Sequence, residues 1–260
     1  MHIAKSVRSV VVACVAFIGT FAASHAMAQR NDEAKLAQAA SVIEIFTSDE
    51  AHGIPADILQ RARGIVVIPN LIRGGFLFGG RRGRGVLAVR SANGDWSNPA
   101  FVTLTGGSFG AQFGAETADV VLVFANDRAV RNISAGKFTL GGDVAAVAGP
   151  LGRRTTAAMT GRAEVYVYMH SKGLFAGAAF EGTRLDVDQD ASAAFYGNGG
   201  ARALGEQTYG TPTSVLPFLE ALRNAAVLAG APPGAPLTNG AAAPAATEEA
   251  VTFPLDQPPQ

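Results

Sequence analysis

The first clear pattern of apolar and polar positions runs from Asp32 to Phe46. Leu36, Ala39, Ala40, Ile43 and Phe46 recur at three- and four-residue steps, with Glu33, Lys35, Gln38 and Glu44 on the opposite side. That spacing predicts an amphipathic helix, capped by Asn31 or Asp32, with its apolar face on a core. A second, short helix is predicted from Pro55 to Ala62. Pro55 suits its first turn and Gly64 ends it. The period then changes. Ile65, Val66, Val67 and Ile68 form a continuous β-branched run, read as a central strand that Pro69 stops.

Four segments of small and apolar residues framed by glycine follow. They start at Gly74, Gly106, Gly141 and Gly173, which are 32, 35 and 32 residues apart. After each comes a run suited to a strand: Val86 to Val89, Val120 to Phe124, Val165 to Tyr168, and Arg184 to Val187. A nearly constant period predicts one supersecondary unit used repeatedly. The unit reads as a strand pair in which glycine permits tight bends, bulges or close backbone approach.

Three further helices are predicted. Asn126 to Ala135 places Ala129, Val130 and Ile133 inward, and Asp190 to Gly197 ends on its glycine. Val215, Phe218, Leu219, Leu222 and Ala226 share one face of a last helix that starts between Ser214 and Pro217. The fold class expected is α+β. Glycine-rich strand pairs would form a twisted, mostly antiparallel sheet, open to partial closure, with N- and C-terminal helices covering one side.

The two ends follow other rules. Lys5 and Arg8 precede an apolar run from Val10 to Ala23, and Ala26-Met27-Ala28 is an A-x-A cleavage site. Residues 1–28 are therefore expected to be an export signal, and the run is short for a membrane span. Val11-Val12-Ala13-Cys14 loosely matches a lipidation site, but most of the apolar run follows Cys14. Cys14 is the only cysteine of the chain, so the part after the cleavage site has no disulfide and no thiolate metal ligand. An exported protein of this kind, periplasmic or secreted, depends on its core, for which residues 29–229 are ample. Residues 230–260 are Ala-, Pro- and Gly-rich, hold seven of the thirteen prolines and are expected to be disordered.

Charge is balanced in the whole chain, with 21 basic and 21 acidic residues, but unevenly distributed. From Asn70 to Arg184 there are 13 Lys and Arg against 7 Asp and Glu. That basic middle favours an anionic partner. Arg81, Arg82 and Arg84 crowd what reads as a glycine-rich turn, with backbone N–H groups free to face an anion. Arg153 and Arg154 hold the corresponding place in the third unit, and Arg73, Lys137 and Lys172 adjoin glycine-rich segments. Repetition of the units in space would gather these charges at one end of the sheet. Arginine forks suit phosphate oxygens. Nucleic acid is not the partner expected of an exported chain that is neutral overall.

Catalytic and metal motifs are matched only on paper. Gly106-Gly107-Ser108-Phe109-Gly110 fits G-x-S-x-G, with Asp143 and His170 in the order a hydrolase needs. The elbow requires strand, turn and helix, and no helical face follows Ser108, which reads as a small strand residue. Ser134-Ala135-Gly136-Lys137 fits S-x-x-K but ends a helix instead of opening one. Gly83-Arg84-Gly85-Val86-Leu87-Ala88 fits G-x-G-x-x-A but runs into a strand. Asp186, Asp188 and Asp190 open like a calcium loop that lacks its later ligands and read as a solvated strand end. His52 and His170, the two histidines beyond the export signal, have no ligand spacing. No metal and no cofactor is expected.

Resemblance to a known family then appears along most of the chain. Ile54-Pro55, Ala62-Arg63-Gly64-Ile65 and Ile68-Pro69 resemble the opening of the SYLF domain. Trp96-Ser97-Asn98-Pro99-Ala100-Phe101, Gly106-Gly107-Ser108 and Gln112 resemble its middle. Asp119 to Phe124, Gly136 to Asp143, Ala148 to Arg153, Lys172 to Gly177, Glu181-Gly182 and Ala194 to Gly197 continue it in order. The match covers about Ala34 to Ala225. The resemblance implies lipid binding and no enzyme activity: eukaryotic SYLF proteins bind phosphoinositide-containing membranes, and fungal relatives also bind actin. An exported bacterial member would not meet actin. Where the family assigns membrane contact to an N-terminal amphipathic helix, the matching positions are Leu36, Ile43 and Phe46 with Lys35.

The function expected is therefore a binding module for anionic phospholipid or phosphoinositide-like headgroups, peripheral to an envelope membrane. Arg73, Arg81, Arg82, Arg84, Lys137, Arg153, Arg154 and Lys172 would contact the headgroups. An envelope protein that binds another protein, without a lipid role, is the alternative; a serine hydrolase using Ser108 is a further one.

Overall fold

The structure, a computed structural model, describes residues 29–49, 53–76, 78–91, 93–109, 114–134, 138–140, 146–149, 164–171, 182–197 and 210–230. Helix α1 (29–48) leads to α2 (Ala56–Arg61). The long strands β1 (Gly64–Phe76) and β2 (Phe78–Val89) form a hairpin, followed by β3 (Ala100–Phe109) and β4 (Gly114–Phe124). Then come α3 (Asp127–Ser134), β5 (Phe138–Leu140), β6 (Ala146–Ala148), β7 (Val165–Ser171), β8 (Thr183–Val187) and α4 (Gln189–Tyr196). A 3-10 turn at Thr213–Val215 starts α5 (Leu216–Gly230).

The strands form one sheet in the order β5-β8-β3-β2-β1-β4-β7-β6. Every pair is antiparallel except β6 with β7. The α+β class and the mostly antiparallel sheet are as expected. The sheet is also curled. Five strand spacings separate β5 from β4, about 24 Å in a flat sheet. Yet the rings of Phe138 on β5 and Phe124 on β4 meet edge to face with centroids 5.5 Å apart. Only a sheet bent round on itself brings those two strands together.

Each long strand is apolar on both faces, which is why its sequence reads as a continuous run. Ile65 and Val67, Val86 and Ala88, Val121 and Val123, and Tyr166 and Tyr168 face one core, shared with α1, α2 and α5. The alternate residues Val66 and Ile68, Leu87, Val120 and Leu122, and Val165 and Val167 face the other. Leu36, Ala39, Ala40, Ile43 and Phe46 are all buried, as the helical spacing predicts. Helices were expected on one side only; α3 corrects this. Ala129, Val130 and Ile133 pack into the second core, inside the curl.

Two local expectations also change. Pro69 does not stop β1. The strand continues through a bulge, where the register shifts between Ile68 and Leu71 against β4. Asn70 takes φ 53°, and the Asp119 carboxylate accepts its N–H at 2.9 Å. A proline without an N–H is tolerated at such a bulge because no ladder bond is lost there. Secondly, Gly79 to Arg84 is not a turn. These residues lie inside β2: Gly79 to Arg82 pair with both β1 and β3, and Gly83 and Arg84 with β3. Backbone N–H groups committed to two ladders are not an anion nest. Close packing explains Gly83 and Gly85 instead: a Cβ on Gly83 would lie 2.5 Å from the Ile68 side chain, and one on Gly85 1.9 Å from the Val67 carbonyl oxygen.

Candidate functional site

The registers resolve one end of the sheet into rows. The outermost row joins Phe76, Phe78 and Phe109. Next are Gly114, Gly75, Gly79 and Ser108, then Ala115, Gly74, Gly80 and Gly107. A basic row follows, Glu116-Arg73-Arg81-Gly106, and after it Thr117-Ile72-Arg82-Thr105-Arg184. Two further anchors belong to this end: Ser171, which closes β7 opposite Ala118, and Thr183, which opens β8 opposite Leu140. The first two glycine-framed segments thus lie at this end, and Gly182 of the fourth joins it through the Leu140 carbonyl, whereas Ala146–Ala148 of the third pairs with Val165–Val167 at the opposite end of the sheet.

The predicted arginines do not form one cluster. Strand alternation puts Arg73 and Arg81, direct cross-strand partners, on the inner face, and Arg82 on the outer face. Arg81 is 7% exposed; its Nη2 donates to the Gly107 carbonyl at 3.1 Å. Burial, and secondarily the Arg73 charge, lower its pKa from the usual arginine value. The Arg73 Nη1 approaches the Met169 sulfur at 3.6 Å. Arg82 is exposed beside Ile72, an apolar residue 58% exposed. Arg184, which the sequence reading missed, shares that outer row and donates to Asp186 at 2.6 Å. Only pairing register brings Arg184 to Arg82; no local sequence signal does.

Arg84 has a different task. Its Nη2 lies 3.3 Å from Asp32 Oδ1 on α1 and 3.5 Å from Asp188 Oδ2. Asp188 caps α4 by accepting the Ala191 N–H at 3.0 Å. Arg84 therefore ties the first helix and the cap of α4 to the sheet. Asp32 is buried, and burial raises its pKa against the opposing effect of Arg84. Lys35 is shifted down, first by burial and then by Arg84, with Asp119 opposing.

The N-terminal helix does not present the membrane face that the resemblance implies. Leu36, Ile43 and Phe46 are 0–4% exposed and packed on the sheet. Lys137, Arg153, Arg154 and Lys172 lie outside the described residues, as do Asp143 and His52. Ser108 sits in β3, paired with Gly79, and the next described element is strand β4, not the helix of a nucleophile elbow. His170 is exposed at the edge of the Phe46 ring, 6.1 Å between centroids. Asp186 lies in β8, Asp188 caps α4 and Asp190 is in its first turn. Among the described residues no three His, Cys, Asp or Glu are grouped to hold a metal, and no helix is long and apolar enough to cross a membrane.

A curled, mostly antiparallel sheet with helices packed on one face and α3 inside the curl defines an α+β domain. Residues 105–225 match the family described as Ysc84: Las17-binding protein actin regulator, and over this stretch the chain is similar to the SYLF domain family. It is 40% identical over 160 residues to LAS seventeen-binding protein 3 of Saccharomyces cerevisiae, covering 60% of this chain and 34% of the relative. Against the SH3 domain-containing YSC84-like protein 1 it is 34% identical over 174 residues in Xenopus laevis, covering 64% of this chain and 52% of the relative. The human protein of that name is 33% identical over 174 residues, with 64% and 51% covered. The chain thus spans a third to a half of the relatives it matches. No solved structure matches it. The yeast relative is named as a binding protein.

Proposed function

We propose that the protein is a non-enzymatic module that attaches peripherally to anionic phospholipid headgroups, at an envelope membrane reached through the export signal expected at 1–28. The observation that supports this reading is the basic end of the sheet, where Arg73, Arg81 and Arg82 occupy adjacent rows. Each basic residue near an anionic surface contributes about 1 kcal/mol, so a few arginines suffice for salt-sensitive, reversible attachment. Arg84, held by two carboxylates, contributes to the fold and not to this contact.

Co-sedimentation of the full chain with phosphatidylglycerol-containing and with pure phosphatidylcholine vesicles tests the reading. Binding is expected only to the anionic vesicles, and raised salt should weaken it. Equal binding to both, or none to either, overturns it. A second reading, a protein partner without a lipid role, is favoured by the name LAS seventeen-binding protein carried by the yeast relative. It predicts a specific crosslinked partner together with no vesicle binding.

A further inference from the structure

The helices cover only part of the outer face of the sheet. Asp32, at the start of α1, meets Arg84 on β2, and Phe46, near its end, meets His170 on β7. α1 therefore crosses that face from β2 to β7. Strand alternation places Ile72, Arg82, Thr105, Thr117 and Arg184 on the same face, beyond α1 toward the rim. Ile72 is 58% exposed, and among the described residues it is the one large apolar residue exposed on a strand. Arg82, its direct cross-strand partner, is exposed as well. Two arginines nearby are held by carboxylates, Arg84 by Asp32 and Asp188 and Arg184 by Asp186. No carboxylate of the described residues holds Arg82. The strip that α1 leaves bare is thus an apolar side chain beside an open cation.

Such a strip fits a segment that carries an acid next to an apolar side chain, and the chain itself has one. After Arg223 it has no Lys, Arg or His, and its charges there are Glu248, Glu249 and Asp256. Phe253 is the one aromatic residue beyond that point. Acidic and apolar groups coincide in Glu248-Glu249-Ala250-Val251-Thr252-Phe253. In an extended chain Glu249, Val251 and Phe253 fall on one side, each about 7 Å from the next. Cross-strand partners such as Ile72 and Arg82 stand about 5 Å apart at their Cβ atoms. Val251 resting on Ile72 therefore puts the Glu249 carboxylate within reach of the Arg82 guanidinium. Length permits the approach. From Gly230, where α5 ends, to Val251 are 21 residues, up to about 70 Å of extended chain. A domain of this size is about 40 Å across. Tethering keeps the segment at an effective concentration in the millimolar range, on the order of what a weak contact needs.

We infer that the segment Glu248–Phe253 docks across the Ile72–Arg82 strip of its own chain and shields Arg82 from anionic headgroups. The shielding rests on the headgroup-binding reading above and regulates that site; the docking itself does not rest on it. A membrane and the acidic segment compete for the same guanidinium, so each weakens the hold of the other.

Disulfide trapping in a glutathione redox buffer tests the docking. In the full chain with Cys14→Ser, Thr252→Cys is combined with Thr117→Cys, which is exposed opposite Ile72. The control pairs Thr252→Cys with Arg128→Cys, exposed on α3, the helix that packs where β1 begins, at the other end of the sheet. The effective concentration at position 117 should exceed that at 128 at least about tenfold. Arg82→Glu or raised salt should remove the difference. Equal values at 117 and 128, or a disulfide that joins two chains and grows with protein concentration, overturn the docking. Co-sedimentation with phosphatidylglycerol-containing vesicles tests the shielding. Val251→Ser with Phe253→Ser leaves the charge of the tail unchanged, so any general repulsion between tail and membrane is the same as in the parent. It should raise the apparent affinity about threefold or more, the rise expected when about two thirds of the molecules are docked. Trapping at 117 without that rise overturns the shielding and leaves the docking standing. Trapping with no vesicle binding by parent or variant overturns the headgroup reading and the shielding together, and again leaves the docking.

Discussion

Arg84 on β2 and Asp32 on α1 are joined at 3.3 Å, with the arginine side chain 43% exposed and the aspartate 7% exposed. The same guanidinium nitrogen reaches Asp188 at 3.5 Å. Three elements distant in sequence meet on one charge. Arg84→Ala removes that charge and leaves a buried carboxylate near a second one. Breaking a buried pair costs several kcal/mol, and the half-exposure of the arginine reduces the figure. A loss of about 1–2 kcal/mol is expected in urea denaturation. No change in the midpoint would show that Arg84 does not hold α1 to the sheet.

Asp32 has the opposite pH signature from an ordinary salt-bridged aspartate. Burial raises its pKa in the fold above the usual 3.8, so the folded chain holds that proton more tightly than the unfolded chain. Its contribution to stability is present below the unfolded value and is lost as pH rises through the folded one. Asp32→Asn should therefore match the parent near pH 3 and equal or exceed its stability at pH 7. An Asn variant that is less stable at pH 7 but not at pH 3 would reverse the assignment.

Gly85 and Gly107 should respond differently to the same methyl group. A Cβ at Gly85 meets the Val67 carbonyl oxygen and Ile68, whereas a Cβ at Gly107 meets nothing within 4 Å. Gly85→Ala is expected to cost about 3 kcal/mol or more, since backbone must move. Gly107→Ala should stay within about 0.5 kcal/mol of the parent. Thermal unfolding of the two variants makes the comparison; equal shifts would contradict the packing at β2.

Phe138 tests the curl. It is fully buried in a three-residue strand and touches Phe124 from the far side of the sheet. Phe138→Ala should cost about 3–5 kcal/mol, as for other large core truncations. A short edge strand packed only on its neighbour would lose much less. A loss below about 1 kcal/mol in urea titration would mean that the two strands do not depend on each other.

Helices were the most legible part of the chain. Leu36, Ile43 and Phe46, and likewise Ala129 and Ile133, repeat at the pitch of a helix and are buried together. Strand runs such as Val120 to Phe124 were legible in type but not in facing, because apolar side chains on both sides erase the two-residue signal. β1 was cut short at Pro69 because the bulge that accommodates proline depends on Asp119, 50 positions later. Site residues were legible as charges and not as neighbours. Arg81, Arg82 and Arg84 are close in sequence, yet one is buried inside, one is exposed outside and one is tied to carboxylates.

By itself the amino-acid order determined which stretches are helical, which are extended, and that basic and glycine-framed segments recur through the middle of the chain. Those properties depend on neighbours within one or two turns. Tertiary structure alone decided that Phe76 lines up with Phe109, that Arg184 joins Arg82, and that Arg84 serves the fold. Strand register is set by contacts between residues far apart in the chain, and a shift of one position sends every side chain to the other face.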